Sequence, residues 1–451
     1  MRESVDVIGV GLGPFNLGLA ALLEPTELDG LFLDESDSFH WHEGMLIEGT
    51  TLEVPYLADL VTLADPTNPY SYCNYLREHD RIYEFYFYET FQIPRREYDD
   101  YLRWAATELE SPQFDRRVTA IEFEPAHEQF VVTAVSPSTG DRYEYVADDV
   151  VVGVGTTPQL PDGFRGHPAS DVFHTASYRS HIGRCLEADS ITVVGSGQSA
   201  AEVFLDLLDR QPAGAYRLDW LTRSAGFFPM EYSKLGLQHF TPEYTQYVAS
   251  LSQETRDELI PEQDLLYKGI DVETSAAIYE LLYERSIGDR DPAIGLLAET
   301  AVQSIDRVDD GYRLYCNRTL TDESFVHESD VVVCGTGYER ARPAFYDPLS
   351  DRIATDEQGR FAITADYRLP IDDVSGRLFV QNAELHTHGV GTPDLGLGCY
   401  RNSRIANQLL GRTEYPEDTD TVFQDFSLDA FLEGTPASTR RTDDDRLHHH
   451  Q

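Results

Sequence analysis

The chain has 451 residues, enough for two or three domains, and carries a formal net charge of −44 from 79 Asp and Glu against 35 Lys and Arg. That sign excludes a nucleic-acid partner, and a 41% hydrophobic content in periodic segments excludes a disordered chain. Acids spread along the whole length fit a halophilic cytoplasm, where ions screen self-repulsion.

In chain order, Val5-Asp6-Val7-Ile8 reads as a buried strand that enters the turn Gly9-Val10-Gly11-Leu12-Gly13 and then a helix starting at Pro14. Such a turn lets backbone N–H groups approach a pyrophosphate at the positive end of the helix dipole. Gly30 to Asp34 is the second strand. Asp34 stands at its end, placed to accept ribose hydroxyls. Strands follow at 118–123, 130–135 and 143–146, and the unit closes with Val150-Val151-Val152-Gly153-Val154-Gly155-Thr156.

The pattern then repeats. Ile191-Thr192-Val193-Val194 enters Gly195-Ser196-Gly197-Gln198-Ser199, and strands at 301–308 and 312–316 lead to Val331-Val332-Val333-Cys334-Gly335-Thr336-Gly337. Two such loops in one chain point to two dinucleotides held face to face. The second unit's strand Leu218-Asp219-Trp220-Leu221 ends in Thr222-Arg223-Ser224, where an NAD site carries an acid. An Arg there suits the 2′-phosphate of NADPH, with Arg217 or Arg340 next in line, so the unit with Asp34 should hold FAD.

The expected fold is therefore α/β, with two Rossmann-like dinucleotide-binding domains and a helical insertion. The boundaries expected are 1–180 with 325–415 for FAD, 188–238 with 295–325 for NADPH, and 239–294 for the helices. A last helix is expected over 403–410, and an acidic tail over 416–451. Cys73, Cys185, Cys316, Cys334 and Cys399 are odd in number and make no Cys-x-x-Cys pair. They point to a reducing, cytoplasmic setting and away from a disulfide reductase. No apolar run of eighteen residues and no signal peptide is visible, so no membrane insertion is expected. His448 to His450 has no spaced partners, and no metal site is expected.

Phe164-Arg165-Gly166 followed by His174 and Tyr178 resembles the linker signature of flavin monooxygenases, with a longer gap before the histidine. More specific are Gly11-Leu12-Gly13-Pro14-Phe15-Asn16-Leu17, Phe39-His40-Trp41-His42-Glu43-Gly44-Met45, Leu57-Ala58-Asp59-Leu60, Asp65-Pro66-Thr67, Gly335-Thr336-Gly337-Tyr338 and His386-Thr387-His388-Gly389. With these, the chain up to about Gly411 resembles the lysine and ornithine N-hydroxylases of siderophore biosynthesis.

That resemblance implies a flavin reduced by NADPH, which reacts with O₂ to give a C4a-hydroperoxide that oxygenates a terminal amine. A neutral amine is needed, although a free alkylammonium titrates near about 10.5; a desolvated pocket lowers that value without a dedicated base. The resemblance further implies that Gly11, Gly13, Pro14, Asn16, Leu17, Asp34, Trp41, His42, Gly195, Gly197, Gln198, Ser199, Arg223, Thr336, Gly337 and Leu395 bind cofactor. Glu53, Ala58, Tyr232, Leu237, Lys268 and Gly396 are implied on the substrate side, and a homodimer or homotetramer as the assembly.

The departures from the family point to the substrate. Ornithine hydroxylases carry a Lys where this chain has Ala58 and an Asn where it has Leu237, both anchors for the amino-acid end. Losing them leaves a bound carboxylate unpaired, at a cost of several kcal/mol. An aliphatic diamine is therefore favoured over lysine, and ornithine disfavoured. Glu53, Glu231 and Tyr232 are candidates for a second cationic end. Oxygenation of sulfur, a tertiary amine or a ketone, or a redox sensor without turnover, remain as alternatives to this reading.

Overall fold

The computed structural model describes residues 3–211, 216–288, 293–340, 342–417 and 422–428. The Val- and Ile-rich strand Glu3–Val10 lies at the centre of the first sheet, between Gly30–Leu33 and Arg142–Val152, all parallel. The strand expected at 143–146 and the valine-rich run expected to close the unit are one strand, Arg142–Val152, with two jobs. Its first half pairs with the antiparallel meander Gln129–Val135 and Arg117–Glu124, and its second half with Arg377–Val380. The strand Arg377–Val380 was not anticipated.

The second sheet is parallel, in the order Ile294–Leu297, Arg217–Leu221, Ser190–Val194, Val331–Cys334, Val172–His174. An antiparallel sheet of Thr300–Val308, Gly311–Arg318 and Ser324–Ser329 accompanies it. Val172–His174 lies within the span 1–180, and Val331–Cys334, read from its repeat as closing the second unit, lies within the span 325–415; both hydrogen-bond into the second sheet. A short valine-rich run fits either buried parallel sheet by composition, and only register decides. The chain crosses between the units where Thr157–Pro158 pairs with Tyr338–Glu339.

Helices Pro14–Leu23 and Gln198–Arg210 follow the two Gly turns. Helices Pro242–Ser250, Gln253–Glu262 and Val272–Ser286 occupy the span read as a helical insertion. The last helix begins at Gly396, seven residues before its expected start, and stops at Gly411 in the left-handed conformation (φ 66°). Its first turns hide in the sequence because they are small and polar. A Cβ on Gly398 would lie 2.9 Å from the Phe15 ring, and one on Gly18 would lie 2.8 Å from Asn402 Nδ2. Close crossing of helices Pro14–Leu23 and Gly396–Leu410 therefore requires glycine at both places. Most of the expected tail lies outside the described residues. Among the described residues no helix is long and apolar enough to cross a membrane.

Candidate active site in the cleft between the two sheets

Both Gly turns open into one cleft of about 2170 Å³. In each turn the glycines divide into two kinds. Gly11 (φ 82°) and Gly195 (φ 122°) are demanded by the fold: their Cβ atoms would meet the Gly153 carbonyl at 2.8 Å and the Gly335 carbonyl at 2.1 Å. Gly13 and Gly197 have ordinary backbone (φ −88° each), and a Cβ on either would meet nothing closer than 3.9 Å. Their missing side chains leave a bare-backbone cradle beside a helix N-terminus, which fits a pyrophosphate.

Two expected cofactor residues, Asn16 and Leu17, shape the first cradle from beneath. Asn16 Nδ2 donates to the Gly11 carbonyl (2.7 Å), while its Oδ1 accepts from Gln381 Nε2 (2.7 Å). Asn16 is fully buried, as is Leu17, whose backbone N–H bonds Gly13. Neither is among the residues lining the cleft, and both support the loop. Asp34 does line the cleft, and its Oδ2 accepts from the Leu12 N–H (2.8 Å). Gly11, Gly13, Pro14, Trp41 and His42 line it as well.

On the facing wall stand Gly195, Gly197, Gln198, Ser199, Arg223, Thr336 and Gly337. Arg223 is exposed and makes no ion pair among the described residues. Arg217 is ruled out as its substitute: it clamps Asp219 (2.7 and 2.8 Å) and is absent from the lining. Arg340 lines the cleft but donates to the Asn382 carbonyl and Oδ1. The linker histidine His174 is a joint. Its Nδ1 accepts from the Ala176 N–H, so Nε2 carries the proton and donates to the Gly337 carbonyl at 2.9 Å. His42, in the left-handed conformation, opens onto the cleft; desolvation there, and next the Arg95 charge, hold its imidazole down to about 4.

The substrate-side residues form two groups. Glu53 Oε1 accepts from Gln198 Nε2 (3.0 Å), and the Tyr232 hydroxyl reaches the Glu53 carbonyl (2.7 Å) and Oε2 (3.0 Å). Behind them Arg95 forms a bidentate pair with Glu202 (2.8 and 2.6 Å), tying the first unit to the second. Burial, then the charge of Asp271, push the Glu53 carboxyl up to about 7.

In the other group Ala58 and Gly396 adjoin a carboxylate that sequence reading missed. A Cβ on Gly396 would lie 3.1 Å from Asp394 Oδ1 and 3.6 Å from the Ala58 Cβ. Burial holds the Asp394 carboxyl above its usual range. Leu237 and Leu395 line the same cleft. Lys268 also lines it, but its ammonium is paired with Asp264 at 2.6 Å. Hydrogen bonds from the Ser233 side chain, and next from its N–H, lower the pKa of Glu231. The Arg95–Glu202 pair gave no local signal, since its partners stand 107 residues apart, and Asp394 accepts from the nearby Leu397 N–H at 3.0 Å. Among the described residues no cluster could hold a metal ion.

Two nucleotide cradles facing one another over a single cleft define a two-dinucleotide oxidoreductase architecture. Residues 3–340 match the family described as L-lysine 6-monooxygenase/L-ornithine 5-monooxygenase, and the chain belongs to it. The rhizobactin siderophore biosynthesis protein RhbE of Rhizobium meliloti is 44% identical, over 94% of this chain and 95% of the relative. A putrescine N-hydroxylase of Shewanella oneidensis is 42% identical, over 94% and 85%. The FAD-bound crystal structure of DfoA, a cadaverine monooxygenase of Erwinia amylovora, superposes with a TM-score of 0.90 at 38% identity, covering 94% of this chain and 99% of that one.

Proposed function

We propose that this protein hydroxylates one terminal primary amine of an aliphatic diamine, with FAD in the first unit and NADPH in the second, for hydroxamate siderophore biosynthesis. The observation that carries the substrate is that Ala58 and Asp394 both flank Gly396, 3.6 and 3.1 Å from the position of a Cβ there. Where ornithine hydroxylases place a cation for a carboxylate, this cleft offers a methyl group and a carboxylate beside it. A second ammonium is stabilised there, and an α-carboxylate is repelled.

FAD, when bound and reduced by NADPH, would activate O₂, which is the source of the oxygen atom. Everything else falls to the chain. Gly13 and Gly197 leave room for the two pyrophosphates, Asp34 takes a ribose, Arg223 the 2′-phosphate, and Leu237 and Leu395 exclude water from the amine. The connection Asp264 to Gly269, between the helices of this span, lines the cleft on the substrate side. Five free cysteines, four of them buried, support a cytoplasmic enzyme. The exposed rings Tyr83, Tyr86 and Phe87 on helix Ile82–Tyr88 support a homodimer or homotetramer.

The test is a panel of 1,3-diaminopropane, putrescine, cadaverine, lysine and ornithine, assayed for hydroxylamine product instead of NADPH oxidation. A diamine should give the highest kcat/KM. Asp394→Asn should raise its KM by at least about tenfold, 1.4 kcal/mol of lost binding. Ornithine ahead of every diamine would overturn the assignment.

A further inference from the structure

The amine must lose a proton before it can be oxygenated, and one carboxylate of the cleft is placed to take it. Glu53 lies on the segment of the first unit that leads to Ala58, and it bonds Gln198, the first residue of the nucleotide helix of the second unit. It therefore stands at the seam of the two units. Nucleotides held on the two facing cradles would meet at that seam, so the nitrogen to be oxidised has to reach it, with the other end of the diamine at Asp394. Tyr232 lies between: it hydrogen-bonds Glu53 and feels the charge of Asp394 as well.

The hydrogen bonds around Glu53 are short of protons. The single Tyr232 proton faces two acceptors, the Glu53 carbonyl at 2.7 Å and Oε2 at 3.0 Å. The two protons of the Gln198 amide face three: Glu53 Oε1, Glu202 Oε1 and Thr274 Oγ1, at 3.0, 3.0 and 3.1 Å. The charges are equally uneven. Glu53, Glu202 and Asp271 face Arg95 alone, and Glu202 already holds Arg95 in a bidentate pair. A primary ammonium supplies both deficits, bringing three N–H donors and one positive charge.

We propose that Glu53 receives the reacting ammonium of the substrate and removes one of its protons. An N–H bond breaks with its electron pair left on nitrogen, and an O–H bond forms on the Glu53 carboxylate. The products are a neutral primary amine and a protonated Glu53, which later passes the proton to solvent. The carboxyl's elevation to about 7 suits this task, since a base nearer in pKa to the amine takes its proton more readily than an ordinary carboxylate. The inference rests on amine hydroxylation in this cleft and assigns the base for it.

The test follows hydroxylamine formation by the holoenzyme from cadaverine between pH 6 and 9.5. Wild-type kcat/KM should fall only below about pH 7. Glu53→Gln should be at least tenfold slower at pH 7 and should rise about tenfold per pH unit, as the amine loses its own proton to water. Glu53→Asp should restore part of the low-pH activity. Flavin content and the visible flavin spectrum report whether each variant is folded. Independently of turnover, calorimetry of cadaverine binding to the oxidised holoenzyme in phosphate and in Tris counts protons. Near pH 7 the wild type should release a fraction of a proton, because ammonium binding expels the proton from half-titrated Glu53, and Glu53→Gln should release none. A Glu53→Gln profile parallel to the wild type, or unchanged proton release, overturns the proposal. If lysine surpasses every diamine, the diamine reading fails, and the same profiles taken with lysine still decide the role of Glu53.

Discussion

The glycines separate what the fold requires from what a ligand requires. Gly11 and Gly195 are fixed by positive φ and by carbonyls that a Cβ would strike, so their substitution should damage the turn itself. Gly13 and Gly197 are free of both constraints. Gly13→Val should therefore give folded protein with flavin affinity reduced by at least about 100-fold, or about 2.7 kcal/mol. Gly197→Val should keep its flavin and lose reduction by NADPH. Absorbance at the flavin band and anaerobic reduction kinetics read the two separately, and normal flavin content in Gly13→Val would refute the assignment. Arg223 makes a matching prediction. As an exposed guanidinium without an ion pair among the described residues, it is available for a 2′-phosphate, so Arg223→Ala should cost about 1.5–3 kcal/mol toward NADPH and little toward NADH. The ratio of flavin-reduction efficiencies with the two nucleotides measures it.

At the scale of elements, what was legible in the sequence was what is local. Each Gly turn is announced by a β-branched run before it and a helix after it, within a dozen residues. Partners far apart were not legible. Val172–His174 joins the second sheet by register with Val331–Cys334, which composition cannot express. Asn16 is fixed by Gln381, 365 residues away, and so braces a turn that it was expected to line. The Arg95–Glu202 pair spans 107 residues and links helix Arg95–Glu108 of the first unit to helix Gln198–Arg210 of the second. Both side chains are largely withdrawn from solvent (11% and 4% exposed), so removing one strands the other. Arg95→Met should destabilise the protein by about 3–5 kcal/mol, and Glu202→Met added to it should recover much of the loss. Chemical denaturation of the two variants and their double decides this. Additive losses would mean that the pair does not couple the units.

The whole molecule is governed by its charge. Among the described residues about half of its cations are committed to ion pairs, such as Arg412 with Glu27, Arg360 with Asp257 and Asp356, and Arg404 with Asp366 and Glu417. Most of the 79 acids therefore have no cation to offset them, and their mutual repulsion acts over the whole fold. The screening length is about 10 Å at 0.1 M salt and about 3 Å at 1 M, so repulsion between neighbouring patches is relieved only in concentrated salt. The cleft is where this matters most, because two anionic nucleotides must enter between the units against that field. The melting temperature and the retained flavin should both rise from dilute buffer to molar KCl, and apparent KM for NADPH should fall over the same range. An uncharged osmolyte at equal osmolality should reproduce the stabilisation only in part and leave KM unchanged. A melting temperature indifferent to KCl would show that the acidic surface is not under strain, and the halophilic reading of the composition would fall with it.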